Sequence, residues 1–228
     1  MAERQLIFDW PLLRLDRWHA DDFLISDANR EAVRWVENWQ QWPAPALIAY
    51  GPAGCGKTHM VSWLCARTAA MQVPLGALAE ADPQSLAAGC SLCVVEDADR
   101  LSGEATERGL LHLYNSIAAA GARLLLTARL PPKAWPVKLA DLRSRLQAAP
   151  TTAILAPDDG LLGALLIKLF SDHQLAIDDE VVSYLLPRIE RSFAALPPLV
   201  ERLDRASLTA GRRLTVPFVR QILAAELG

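Results

Sequence analysis

The sequence predicts an α/β protein, a parallel sheet flanked by helices, followed by a small all-helical domain. Three observations lead there. Short apolar runs at 46–50, 92–95, 123–127 and 152–155 alternate with helical stretches, the pattern of parallel strands joined by crossover helices. The first run enters a glycine loop, GPAGCGKT at 51–58, which opens directly into a helix-patterned stretch. After Pro157 the strand signals stop and only helical periodicity remains.

Taken in order, residues 1–20 are irregular, with Pro11 as a breaker. Over 30–42, Val33, Val36 and Trp39 recur at helical spacing until Pro43 and Pro45 stop them. A strand is expected at 46–50, then a helix at 57–71. Strands at 92–95, 123–127 and 152–155 and helices at 104–120 and 139–147 complete the α/β part. Beyond it, Leu161, Leu162, Leu165, Leu166, Leu169 and Phe170 form one apolar stripe, with Asp158 and Asp159 placed to cap the helix start. Further helices are expected at 178–186, 198–210 and 216–227, with Pro197 and Pro198 interrupting the chain before the second of them. The organisation read from this is an N-terminal segment at 1–12, an α/β domain at 13–156 and a helical lid at 157–228.

At 228 residues, 52% hydrophobic and 21% charged, the chain has the make-up of an ordinary globular protein with a sizeable core. No apolar stretch reaches the ~18 residues that span a bilayer, and MAERQLIFDW has no basic region followed by an apolar signal core, so the expected compartment is the cytoplasm, away from membrane. A net charge of −3 supplies no footprint for wrapping DNA, and direct sequence-specific DNA binding is not expected. Of the four cysteines, Cys90 and Cys93 form a Cys-x-x-Cys, but no second Cys/His pair follows at zinc-ligand spacing. Cys55, Cys65, Cys90 and Cys93 are read as reduced thiols packed in or near strands.

The chemistry lies in two motifs. Gly51, Pro52, Ala53, Gly54, Cys55, Gly56, Lys57 and Thr58 satisfy G-x-x-x-x-G-K-[ST]. In such a loop glycines let backbone N–H groups face phosphates, the lysine reaches the β/γ oxygens and the hydroxyl ligates magnesium. This points to ATP or ADP with Mg2+. The loop needs an acidic partner at the end of a neighbouring strand, and LCVVED at 92–97 offers Glu96 as metal ligand and Asp97 as the group that positions water. The usual order is aspartate then glutamate. Here the metal-side group is one methylene longer and the water-side group one shorter, which favours metal binding over water geometry, where about 1 Å can cost a hundredfold.

With these motifs placed, nearly the whole chain resembles the AAA+ module of DnaA-type replication initiators and, among them, the shorter Hda-like proteins that regulate DnaA. DDFLISDANREA at 21–32 is similar to the family's adenine-recognition box, with Phe23, Leu24, Ile25 and Asn29 matching. LLLTARLPP at 124–132 resembles the sensor I strand and its turn, including Thr127 and Arg129. LRSRL at 142–146 resembles the arginine-finger box, with Arg145 as the finger, and GRRLTVPFVRQIL at 211–223 the last lid helix. RQLIFDWP at 4–11 resembles the peptide by which Hda-like proteins bind the replicative sliding clamp, with Gln5, Leu6 and Phe8 as anchors; the bland alternative is a tail packed on its own domain.

The departures shape the functional reading. The chain ends at Gly228, soon after the last lid helix, and Glu96 follows Lys57 by only 39 positions. The resemblance therefore implies a module without the initiators' helix-turn-helix domain and with little room for their single-strand-gripping helices. The initiators' sensor I acid falls at Arg129. Their sensor II arginine falls at Ala194, leaving Arg191, three positions away, as either a substitute or a solvated lid residue. Arg145 is either a finger for a neighbour's nucleotide or a surface ion-pair member. The resemblance thus implies a nucleotide-binding adaptor with weak hydrolysis of its own, partnered by DnaA and the sliding clamp. A homo-oligomer is compatible with it. An ATP-driven replication loader or remodeller, and a nucleotide-independent scaffold, are the alternatives.

Overall fold

The structure is a computed structural model and describes residues 24–80 and 82–224. Helix α1 (Arg30–Glu37) buries Ala32, Val33 and Val36 on one face. It stops short of Trp42 because the Asn38 amide donates to the Arg34 carbonyl at 2.8 Å, taking up a C-terminal acceptor; a separate 3-10 turn, Trp39–Gln41, follows.

Five parallel strands form the sheet: β1 (Ala46–Tyr50), β2 (Met71–Gln72), β3 (Leu92–Val95), β4 (Arg123–Ala128) and β5 (Thr151–Ala153), in the order β2-β3-β4-β1-β5. Strand β2 was not expected. It exists because α2 (Lys57–Thr68) ends earlier than its periodicity indicated, at Ala69 with a left-handed φ of 52°, which releases Met71 to pair with Cys93. The central strands are buried on both faces, as an all-parallel sheet requires. On one side Ala46, Ile48, Leu124 and Leu126 meet Ala87 of α3 (Pro83–Ala88), Leu110, Leu113 and Ile117 of α4 (Glu104–Ala119), and Leu142 and Leu146 of α5 (Ala140–Ala148). On the other, Leu47, Ala49 and Leu125 meet Val33 and Val36 of α1 and Met60, Val61 and Leu64 of α2.

The last four helices are α6 (Asp159–Asp172), α7 (Asp179–Leu185), α8 (Leu196–Ala210) and α9 (Val216–Ala224). Their apolar faces make a separate core around Leu162, Leu166, Phe170, Leu185, Leu196, Leu203 and Val219. Asp158 caps α6 by accepting the Leu161 N–H at 2.8 Å. Pro197 and Pro198 do not interrupt a helix, as the sequence had suggested. They sit in the first turn of α8, where a missing N–H costs nothing because that donor has no intrahelical acceptor. Residues 225–227, expected to continue the last helix, lie outside the described residues. Among the described residues no helix is long and apolar enough to cross a membrane.

Candidate functional site

The parallel register gathers the carboxyl ends of β1, β4 and β3 along one edge, the place where ligands bind in open α/β sheets. Tyr50 ends β1 opposite Ala128 of β4. The loop that follows is pinned at its root by the Gly51 N–H, which donates to the Ala128 carbonyl at 3.1 Å. It then turns through Gly54 and Gly56, with φ of +70° and +97°, values that disfavour any side chain, and enters α2. The first N–H groups of α2 lack partners within the helix, and the helix dipole adds positive potential at the same place.

Lys57, the first residue of that helix, is buried to 8% exposure. Its ammonium donates to the carbonyls of Gly51 at 2.7 Å and Pro52 at 2.8 Å and lies 3.7 Å from the Cys55 sulfur. Burial pushes the Cys55 thiol up, with the Lys57 charge pulling the other way, so Cys55 stays a neutral packing group. Pro52 and Ala53 are exposed. The Thr58 hydroxyl donates to Glu96 Oε2 at 2.7 Å, bringing two oxygen ligands of the kind magnesium prefers to one point. This pair fits a hard divalent cation.

Asp97 stands differently. It is one of the few non-glycine residues with positive φ, at 53°, and its N–H donates to the buried Thr127 hydroxyl at 3.2 Å. Its carboxylate is ion-paired with Arg100 at 3.1 Å. Thr127 therefore orients the backbone of the acidic motif. Arg129 has an exposed side chain, while its N–H donates to Asp99 at 3.0 Å.

In the segment that resembles an adenine-recognition box, Asn29 is buried and spends its side chain locally. Its amide donates to the Leu24 carbonyl at 2.8 Å, and its oxygen accepts the Ser26 N–H at 2.9 Å. Asn29 thus fastens the 24–29 turn, leaving Leu24 half-buried and Ile25 51% exposed. The Leu155 N–H donates to the Ala28 carbonyl, tying this turn to the chain that leaves β5, and the Leu155 side chain is 60% exposed. Leu155 carries no motif; the sequence puts it in the strand expected at 152–155, which ends at Ala153 and leaves Leu155 in the segment that follows. Phe23 and the clamp-binding residues Gln5, Leu6 and Phe8 lie outside the described residues.

In the lid, Arg191 is ion-paired with Asp159 at 2.9 Å, both largely exposed, and Ala194 is exposed. The lid residues nearest the loop are Ser192 and Phe193, which sequence reasoning passed over: the Phe193 N–H donates to the Gly54 carbonyl at 2.9 Å. On the opposite side of the α/β part, Arg145 of α5 is exposed, with its guanidinium carbon 5.4 Å from the Tyr114 ring centroid. Burial raises the Tyr114 phenol, against the Arg145 charge. The buried Glu107 carboxylate of α4 accepts the N–H of Lys138, at 3.0 and 3.1 Å, and of Leu139, at 2.7 Å, and so caps the start of α5.

The parallel sheet, the phosphate loop, the acidic strand end and the helical lid together define an AAA+ nucleotide-binding module. The family described as "Hda, lid domain" matches residues 164–223. A curated relative, an uncharacterized protein of Haemophilus influenzae, is 30% identical over 219 residues and 92% of each chain. The chain belongs to this family of DnaA-related, Hda-like AAA+ proteins. Solved structures share the fold. Domain III of the Thermotoga maritima replication initiation protein DnaA is 15% identical at a TM-score of 0.73, over 95% of this chain and 98% of that one. A DNA replication initiation factor is 18% identical at 0.71, over 86% of this chain and 65% of that one. AMPPCP-bound DnaA from Aquifex aeolicus is 18% identical at 0.69, over 84% and 66%. The chain thus spans just under two thirds of the length of the last two.

Proposed function

We propose that this chain is a regulator of replication initiation that holds an adenine nucleotide, docks on the sliding clamp through Gln5, Leu6 and Phe8, and presents Arg145 to ATP bound by DnaA. Family membership and the DnaA likeness support the coarser part, a DnaA-related replication regulator. The observation that carries the finer part is the contrast between Asp97, drawn into an ion pair with Arg100, and Arg145, exposed with its guanidinium over the Tyr114 ring.

At its own site the chain binds and orients. The loop N–H groups and Lys57 hold the phosphates, and Thr58 with Glu96 holds magnesium, which when bound neutralises phosphate charge. Leu24, Ile25 and Leu155 offer apolar surface for a base. The carboxylate that should position water is one methylene shorter than usual and is also drawn toward Arg100, so turnover here is slow. Arg145 supplies to a partner what the local site underuses: a planar guanidinium that stabilises charge growing on transferred phosphoryl oxygens, an effect of about 10³ to 10⁵ in rate.

The deciding experiment is hydrolysis of DnaA-bound ATP with and without clamp-loaded DNA. Stimulation is expected only with this protein and clamp together, and is lost when Gln5 and Phe8 are both alanine. DNA-stimulated ATP turnover by this chain alone, with steep salt dependence, would identify a loader instead. Stimulation indifferent to nucleotide would identify a scaffold.

A further inference from the structure

Ser192 and Phe193 belong to the lid yet lie against the phosphate loop. Ser192 is 4% exposed, and a Cβ added to Gly54 would stand 1.8 Å from its hydroxyl. The Phe193 ring comes within 3.1 Å of where a Cβ on Gly56 would be. Between these two packing contacts runs the bond from the Phe193 N–H to the Gly54 carbonyl. The segment is braced from the lid side. The Ser192 hydroxyl accepts the Ala194 N–H at 3.2 Å, capping the 3-10 turn Phe193–Ala195 that continues into α8.

We propose that Ser192–Phe193 is a latch through which the lid responds to phosphate in the loop, a proposal that rests on the nucleotide reading above. The peptide joining Gly54 to Cys55 is trans, so its C=O and N–H point in opposite directions. Holding the Gly54 carbonyl toward the lid turns the Cys55 N–H to the other side, toward the face from which such a loop binds phosphate. A carbonyl that accepts a hydrogen bond also makes the N–H of the same peptide a stronger donor. Phosphate and latch therefore strengthen each other, and by linkage the coupling is equal in both directions. No charged lid side chain need reach the nucleotide. That agrees with the exposed Ala194 and with Arg191 paired to Asp159.

The backbone permits a selective test. Ser192 has φ −146° and ψ 134°, a conformation that readily precedes proline, and position 193 opens a short helix, where proline fits. F193P deletes the N–H and the ring; F193A deletes the ring alone. In calorimetric titration with Mg·ADP, F193P should bind about 3- to 10-fold more weakly than F193A, the worth of one hydrogen bond. Hydrogen exchange over 192–196 should slow on adding Mg·ADP in the unaltered protein and in F193A, and not in F193P. Equal affinities for the two variants, with normal binding by the unaltered protein, would overturn the latch alone. No binding by the unaltered protein would overturn the nucleotide reading and the latch with it. If F193P does not fold, exchange in the unaltered protein decides: slowing supports the latch, indifference overturns it.

Discussion

The phosphate-loop edge and the α5 rim are built on opposite plans. At the loop, each functional group is interlocked with another part of the chain: Lys57 with two carbonyls, Thr58 with Glu96, Gly54 with Phe193. On the rim, Arg145 is exposed and, among the described residues, has an aromatic ring beneath it. Interlocked groups suit holding a ligand, since they stay gathered at one place and exchange these internal partners for ligand oxygens, whereas an exposed guanidinium on a fixed helix suits a ligand held by another molecule. On the function proposed above, the difference separates the surface that binds nucleotide from the surface that acts on a partner's.

The largest effect should come from the rim. Arg145→Ala should lower stimulated hydrolysis of DnaA-bound ATP by about 10³ or more while leaving melting temperature and nucleotide affinity near those of the unaltered protein. Arg145→Lys should recover only part, because an ammonium cannot reproduce the planar fork. Stimulation surviving in the alanine variant would erase the contrast between the two surfaces. At the loop, Lys57→Ala should weaken Mg·ADP binding by about 10- to 100-fold, the range for charge-assisted hydrogen bonds, read by calorimetry. Unchanged affinity would remove Lys57 from the site.

A smaller change sharpens the comparison from within. Arg100→Ala frees the Asp97 carboxylate; because the pair is half-exposed, solvent already weakens it, and intrinsic ATP turnover should rise only about 2- to 5-fold. A rate that stays flat or falls in a single-turnover assay would show that Asp97 is not being withheld.

The smallest effect lies in the sheet beneath the loop, where burial pushes the Cys93 thiol up to about 12, from an ordinary 9.0. The unfolded chain ionises first as pH rises, so this contribution to stability is whole below pH 9.0 and declines toward 12. Denaturant midpoints at pH 7.5 and 10 should fall less steeply for Cys93→Ala than for the unaltered protein. Identical slopes would show that Cys93 is not the group responsible.

The loop, its strand and the acidic strand end were legible in sequence because each is written in consecutive residues: an apolar run, a glycine pattern, a carboxylate pair. What escaped depends on distant partners. Two-residue β2 owes its existence to β3, and neither Met71 nor Gln72 announces it. The Arg100 partner of Asp97 stands three positions away in plain view, but the left-handed turn at Asp97 that precedes it does not. Asn29 matched a ligand box by type, but its fastening of the 24–29 turn could not be read there, since a buried amide spends its donors and acceptors on whatever lies nearest. Ser192 and Phe193 carry no motif because their tie to the loop runs through the backbone, which every residue except proline can supply.

Glu107 gives the rim its final property. By capping α5 from a neighbouring helix it anchors that helix at its root, while Tyr114, from the same neighbour, steadies Arg145 near the far end. A free arginine carries about 2 kcal/mol of rotamer entropy into any complex. A ring beneath the guanidinium lowers that cost, so on the function proposed above an encounter with a partner needs less ordering of the tip.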